Sequence, residues 1–207
     1  MYVRGTRKNK VVLVAHADTY WDALYGDKGL LADVKEIEIS DGVVRSVRGG
    51  LGADDRAGCA MLWLMRDLGH SLLITNGEEH GRRGAKYLMS KHPEIAYEIN
   101  SEHQFMIQLD RRNATDFKCY EVGTDDFRAY LTEITGYSEP DRHSYTDICT
   151  LCKDICGVHL SIGYYEEHRD DECLILEHWF NTLNLCRSWL SRDDLPRFPL
   201  VRKEQSA

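Results

Sequence analysis

The sequence predicts an α/β fold: a three-layer sandwich with helices on both faces of a mixed, largely parallel central sheet. Two observations predict it. Four short apolar runs, residues 11–15, 71–75, 105–109 and 158–162, are separated by segments of helical periodicity. Each run also leads into an acidic residue or a histidine, and in open α/β sheets ligands bind at the carboxyl ends of the strands.

In chain order, residues 11–15 hold three valines and read as a strand buried on both faces, ending at His16-Ala17-Asp18. Residues 34–39 and 43–47 alternate apolar with polar around Asp41-Gly42, a hairpin signal. Residues 56–68 carry an apolar face with no breaker beyond Gly58 and read as a helix. The strand at 71–75 runs into Asn76-Gly77-Glu78-Glu79. Residues 85–90 then read as a helix that stops before Pro93. The strand at 105–109 ends on Asp110. Residues 125–133 and 147–156 read as helices, the strand at 158–162 is followed by Gly163-Tyr164-Tyr165, and 171–189 reads as one long amphipathic helix. The tail from Ser191 is charged and holds two of the four prolines, so residues 191–207 are expected to be loosely held against a single domain spanning 1–190.

Bulk properties exclude several classes. A net charge of -8 would repel a nucleic-acid backbone. No run approaches the roughly 18 apolar residues of a membrane span. The basic start, Met1 to Lys10, is followed by too short an apolar stretch for a signal peptide, so a cytoplasmic location is expected. Seven cysteines, an odd number, fit a reduced compartment better than a disulfide framework. Cys149, Cys152 and Cys156 recur at helical spacing, but no second Cys or His pair completes a zinc site, and small apolar residues on a helix face is the better reading.

His16, Asp54, Glu79, Asp110 and His168 form the set that carries chemistry. Two imidazoles and three carboxylates suit a pair of divalent ions, zinc first, with cobalt or manganese also compatible. One carboxylate can bridge two ions roughly 3.5–4 Å apart, which leaves the other four residues to supply two ligands to each. Asp18, two residues beyond His16 on an extended chain, is placed to accept the second imidazole N–H. Glu78 points away from Glu79 and suits a general base. Each piece also has a plainer explanation. His16 and Asp18 could be a surface pair, Asp54-Asp55 an N-cap, Glu78-Glu79 solvated charge, and Asp110 the ion-pair partner of Arg111 or Arg112. His168 could be an ordinary loop histidine. Their common placement at strand ends favours the site.

These segments together resemble the co-catalytic di-zinc exopeptidases and deacylases, a group that includes bacterial di-zinc aminopeptidases, tripeptidase-like enzymes and carboxypeptidase G-like enzymes. His16-Ala17-Asp18 looks like their first motif and Gly52-Ala53-Asp54-Asp55-Arg56-Ala57-Gly58 like the second. Asn76-Gly77-Glu78-Glu79-His80-Gly81, with Gly84-Ala85, resembles the third, Asp110 the fourth, and Gly163-Tyr164-Tyr165-Glu166-Glu167-His168 the last. The resemblance implies that His16 and Asp110 hold one metal, Glu79 and His168 the other, and Asp54 both, with a cis peptide after Asp54. It implies metal-assisted hydrolysis of an amide bond by a water between the metals, with Glu78 shuttling the proton. The expected substrate is a small peptide or an N-acyl amino acid.

Many members carry a lid or dimerisation domain between the fourth and fifth motifs, and the stretch from Asp110 to His168 is too short for one. A lidless domain must find its oxyanion donor elsewhere, with His143, Tyr145 and Tyr165 as candidates. Asp147, in Ser144-Tyr145-Thr146-Asp147, either supports the site or caps a helix. An aminopeptidase needs a group for the substrate amine. A carboxypeptidase or N-acyl amino acid deacylase needs a cation, for which Arg82, Arg128 and Arg142 are candidates. An aminopeptidase is the leading reading. A carboxypeptidase or deacylase, an inactive binding module and a one-metal cyclising acyltransferase are the alternatives. A homo-oligomer is compatible with the sequence, which does not fix the oligomeric state.

Overall fold

The computed structural model describes residues 1–21, 36–141 and 145–200. Its centre is a six-stranded mixed sheet made of β1 (Tyr2–Val3), β2 (Val12–His16), β5 (Ser71–Thr75), β6 (Met106–Arg111), β7 (Phe117–Lys118) and β8 (Gly157–Ser161), in the order β1-β5-β2-β6-β8-β7. The four inner strands are parallel and the two short edge strands antiparallel. A second, antiparallel sheet pairs β3 (Ile37–Ser40), β4 (Val43–Ser46), β10 (Cys173–Ile175) and β9 (Tyr164–Tyr165) in the order β3-β4-β10-β9.

The two faces of β2 show why the sandwich has three layers. Val11, Leu13 and Ala15 pack on one side with α1 (Ala53–Leu64), α4 (Asp125–Thr135) and α6 (Leu176–Leu190). Val12 and Val14 pack on the other with α2 (Arg83–Lys91), α3 (Pro93–Glu102) and α5 (Ile148–Leu151). Successive side chains of a strand point to opposite faces, so an uninterrupted valine-rich run requires apolar cover on both. On the first face Phe105 stacks on Trp189 at 5.4 Å, and Phe127 meets Phe198 at 4.9 Å. Gly58 lets α1 approach β6 closely, because a Cβ there would stand 1.9 Å from the Leu109 carbonyl oxygen.

The fold class, the four inner strands and the Asp41-Gly42 hairpin are as the sequence predicts; the first part of segment 34–39 lies outside the described residues. Four elements differ. Pro93 ends α2 but also starts α3, since its fixed φ and missing N–H suit a first helical position. The helix expected over 147–156 stops at Leu151: Asn100 Oδ1 accepts the N–H groups of Lys153 and Asp154 and draws the chain out of the helix. The long helix expected from residue 171 is preceded by β10, because Cys173–Ile175 pair with both β4 and β9. The tail expected to be loosely held is anchored over its described part. Leu195 is buried, and Phe198 exchanges backbone bonds with Cys156 (2.9 Å) and Gln104 (3.0 Å). Arg197 donates to three carbonyls at the end of α3.

All seven cysteines are free, and none belongs to a potential metal cluster among the described residues; Cys152 packs on Met106. No helix among the described residues is long and apolar enough to cross a membrane.

Candidate functional site

The carboxyl ends of the parallel strands bring the scattered acids and histidines together. β2 delivers His16, and the turn after β5 delivers Glu78 and Glu79. β6 delivers Asp110 at a register shift against β8, an irregularity of the kind that re-aims a side chain. Asp54 sits in the first turn of α1, where Asp54 and Asp55 keep non-helical backbone angles and are joined by the expected cis peptide. His168, at positive φ in the loop after β9, closes the cluster.

His16 Nε2 lies 3.1 Å from Asp54 Oδ1 and 3.3 Å from Asp110 Oδ1. On the other side of Asp54, His168 Nε2 lies 3.3 Å from Oδ2 and 2.9 Å from Glu79 Oε1. Two groups of potential metal ligands result, His16-Asp54-Asp110 and Asp54-Glu79-His168, and Asp54 belongs to both.

A surrounding layer fixes these groups. His16 Nδ1–H donates to the backbone carbonyl of Asp18 at 2.8 Å, while the Asp18 carboxylate is farther off at 3.5 Å. The partner expected for the imidazole is therefore mainly the main chain of Asp18. Its carboxylate accepts the N–H groups of Gly77, Glu78 and Glu79 at 2.6, 3.1 and 3.2 Å, and so shapes the turn carrying both glutamates. Asp55, fully buried, accepts from the His16 and Gly58 N–H groups. Glu172 accepts from the Gly52 and Asp54 N–H groups and from Trp21 Nε1, holding the turn before α1. Asp147 makes no side-chain cap to α5; its Oδ2 takes the Thr75 hydroxyl at 2.5 Å.

Acids outnumber bases here, and proton affinities respond. Burial pushes Glu78 up to about 8, helped by the charge of Asp110. Burial likewise raises Asp147, to about 6. Burial opposes a charge on His168, but bonds to Asp54 and Glu79 lift it to about 10. His16 is likewise raised despite burial, chiefly by Asp110. Asp110 falls well below the carboxylate range: burial works against ionisation, but His16 and His159 together favour the carboxylate more. Asp18 falls to about 2: burial works against ionisation, but His16 and the backbone N–H groups favour the carboxylate more.

The cluster floors an open cleft of about 230 Å³, lined also by Arg111, Arg112, Tyr145, Thr146, His159, Tyr164 and Glu167. Of the oxyanion candidates, Tyr145 lines the cleft and is well exposed. Tyr165 does not line it, because its hydroxyl is engaged with His178 Nδ1 at 2.8 Å. His143 lies outside the described residues, as does Arg142. Arg128 is held away from the cleft by Glu139 and by the Tyr120 and Gly123 carbonyls. Arg82 bonds Thr150 and lies over the Tyr145 ring. The arginines after Asp110 pair elsewhere, Arg111 with Asp116 and Arg112 with Glu167. Reading the sequence alone misses His159, Gln108, Glu172 and Tyr20, whose ring stacks on His168 at 4.6 Å. Only His159, on the alternation of a strand beside Asp110, left a signal that strand register could have found.

No family model and no curated protein matches this chain. Solved structures do. Aminopeptidase PepT from Bacillus cereus is 14% identical, with 92% of this chain and 83% of that one covered and a TM-score of 0.61. A tripeptidase from Staphylococcus aureus is 13% identical over 92% and 84% of the two chains, with a TM-score of 0.58. An aminopeptidase from the archaeon Desulfurococcus kamchatkensis is 16% identical over 92% and 82%, with a TM-score of 0.59. At such identities the likeness is one of architecture: this chain has the fold of these aminopeptidases.

Proposed function

We propose that this protein is a dinuclear metal-dependent peptidase, an aminopeptidase of small peptides, built as one catalytic domain without a lid. The observation that carries the reading is the double cluster: two three-residue ligand groups share Asp54 at the floor of a cleft, with Glu78 beside them. The residues fit two cations. Asp54 Oδ1 is buried with no hydrogen-bond partner, a costly arrangement unless something positive meets it. The excess of buried carboxylates calls for positive charge beyond two imidazoles. Imidazole and carboxylate donors suit zinc, and cobalt or manganese also.

His16 and Asp110 would hold one ion, Glu79 and His168 the other, and Asp54 both. When bound there, two such ions would supply polarisation of the scissile carbonyl and a lowered pKa for water. Glu78 takes the proton of the attacking water and returns it to the leaving amine. Asp18 and Asp55 keep His16 and the Gly77–Glu79 turn in place. The amine preference is supported by the cleft's arginines, Arg111 and Arg112, both committed to carboxylates. A substrate carboxylate thus meets arginines whose charge is already balanced, although Arg112 keeps an unpartnered Nε, whereas a substrate amine meets an acid-rich floor.

The test is turnover of leucine p-nitroanilide and of Leu-Gly-Gly against N-acetyl-leucine amide and benzyloxycarbonyl-Gly-Leu, after loading with zinc or cobalt. Hydrolysis of the free-amine substrates alone is expected. Hydrolysis of blocked substrates alone would establish a carboxypeptidase or deacylase. Metal binding with no turnover of either kind would leave a binding module.

A further inference from the structure

One polar side chain lies in the sheet where an apolar one is expected. Gln108 interrupts the apolar run 105–109 on β6, paired with β2 on one side and β8 on the other, and is fully buried. An amide in that position costs free energy unless both of its ends are hydrogen-bonded. Its Oε1 accepts the Ile148 N–H, at the start of α5, at 3.1 Å. Only the oxygen can accept that bond, so the orientation of the amide is fixed and its NH2 group faces the other way. Nε2 donates to Asp110 Oδ2 at 2.8 Å and to the Thr146 hydroxyl at 2.6 Å.

Thr146 closes the triangle. Its hydroxyl oxygen accepts from Gln108, and its own proton goes to Asp110 Oδ2 at 3.2 Å. Two donors fill the lone pairs of that carboxylate oxygen. Oδ1 receives neither of them and lies 3.3 Å from His16 Nε2, within the group His16-Asp54-Asp110. Glu79, the acid of the other group, has no such clamp. Among the described residues its carboxylate has one hydrogen-bond partner, His168, which belongs to the same group.

We infer that Gln108 is a positioning residue: it holds Asp110 as a one-oxygen ligand and so sets the metal affinity of the His16 position, without acting on the His168 position. The inference rests on the metal-binding part of the reading above. A carboxylate free to rotate loses that freedom when it takes a cation, whereas one already clamped through Oδ2 has little left to lose. Because Gln108 is anchored in turn at the first N–H of α5, Asp110 cannot turn without breaking a contact between strand and helix. Partners of this kind orient a metal ligand, and losing one typically weakens the site about 10- to 100-fold.

The test uses Gln108→Met, which keeps the length of the side chain and removes all three bonds. Zinc affinity is measured on metal-free protein by competition with a chromogenic chelator, in two backgrounds. Glu79→Ala leaves the His16 position, and Asp110→Ala leaves the His168 position. We expect Gln108→Met to weaken zinc binding about 10- to 100-fold in the first background and less than about threefold in the second. Thr146→Val, nearly the same shape, should give a smaller loss in the first background only. Equal weakening of both positions would make Gln108 a general prop of the fold and overturn the inference. So would an unchanged His16 position in Gln108→Met or, where that variant does not fold, in Thr146→Val. Wild type that binds two zinc ions and shows the selective loss, yet turns over no substrate, overturns the hydrolase reading alone. Wild type that binds no zinc overturns both.

Discussion

Glu78 and Glu79 are neighbours with opposite surroundings, and the difference assigns their roles. Glu79 faces His168 at 2.9 Å. Glu78 is pushed up to about 8 by burial and by Asp110, with His16 offsetting them only in part. Two cations beside it would draw that value down, leaving a carboxylate able to take a proton from water and return it to an amine. Glu78→Gln keeps the side chain's size and removes the base. It should retain both metals, since it replaces no ligand, and lose roughly 100- to 10,000-fold in kcat; metal analysis alongside initial rates checks both halves. Retained activity would place the base elsewhere. At this scale the sequence is legible where a residue stands beside a strand end, as His16, Glu78, Glu79 and Asp110 do; Asp54, in the first turn of α1, and His168, in the loop after β9, meet them in one cleft. It is illegible where function depends on a register between strands. Nothing near His159 in sequence announces Asp110; only the pairing of β6 with β8 brings them together.

Among the elements, α1 matters most, because it carries Asp54 and Asp55 and lies against both β2 and β6. Gly58 is the point of closest approach. A methyl group there would stand 1.9 Å from the Leu109 carbonyl oxygen and 2.3 Å from Asp55 Oδ1. Backbone cannot yield cheaply, so Gly58→Ala should cost about 3 kcal/mol and disturb the Asp55 bond to the His16 N–H. A lower urea midpoint together with reduced metal affinity is expected, and an unchanged midpoint would show that α1 can move freely. Two of the elements misjudged from sequence share one cause. Asn100 ends α5, and β4 with β9 claims residues 173–175, and in both cases a distant partner overrides a local helical pattern.

Across the whole molecule, two buried histidines tie distant segments and make stability depend on pH. His70 accepts the Val11 N–H at Nδ1 and donates from Nε2 to the Leu190 carbonyl, linking β2 to the end of α6. His103 donates from Nδ1 to the Ile99 carbonyl and accepts the Ser71 hydroxyl at Nε2. Burial lowers both from 6.5 to about 4. The unfolded chain therefore binds more protons than the folded one below pH 6.5, so this stability is present above pH 6.5 and lost as pH falls through 4. By pH 5 each histidine should cost roughly 2 kcal/mol. Tm should drop between pH 7 and pH 5, and His70→Gln and His103→Gln should each flatten that slope. A Tm independent of pH over this range would contradict the assignment. The layered fold itself was legible, because valine-rich strands buried on both faces leave few other architectures; the anchoring of residues 195–200 was not, because a charged, proline-bearing tail shows no periodicity until Phe198 meets Phe127 and Tyr130.

The most direct measurement is the number of zinc ions bound per chain in wild type and in Asp54→Ala, by equilibrium dialysis of metal-free protein followed by elemental analysis. Because Asp54 belongs to both ligand groups, two ions are expected in wild type and the loss of both from the variant at the same free zinc concentration. One ion in wild type, or a variant that retains two, would contradict that expectation.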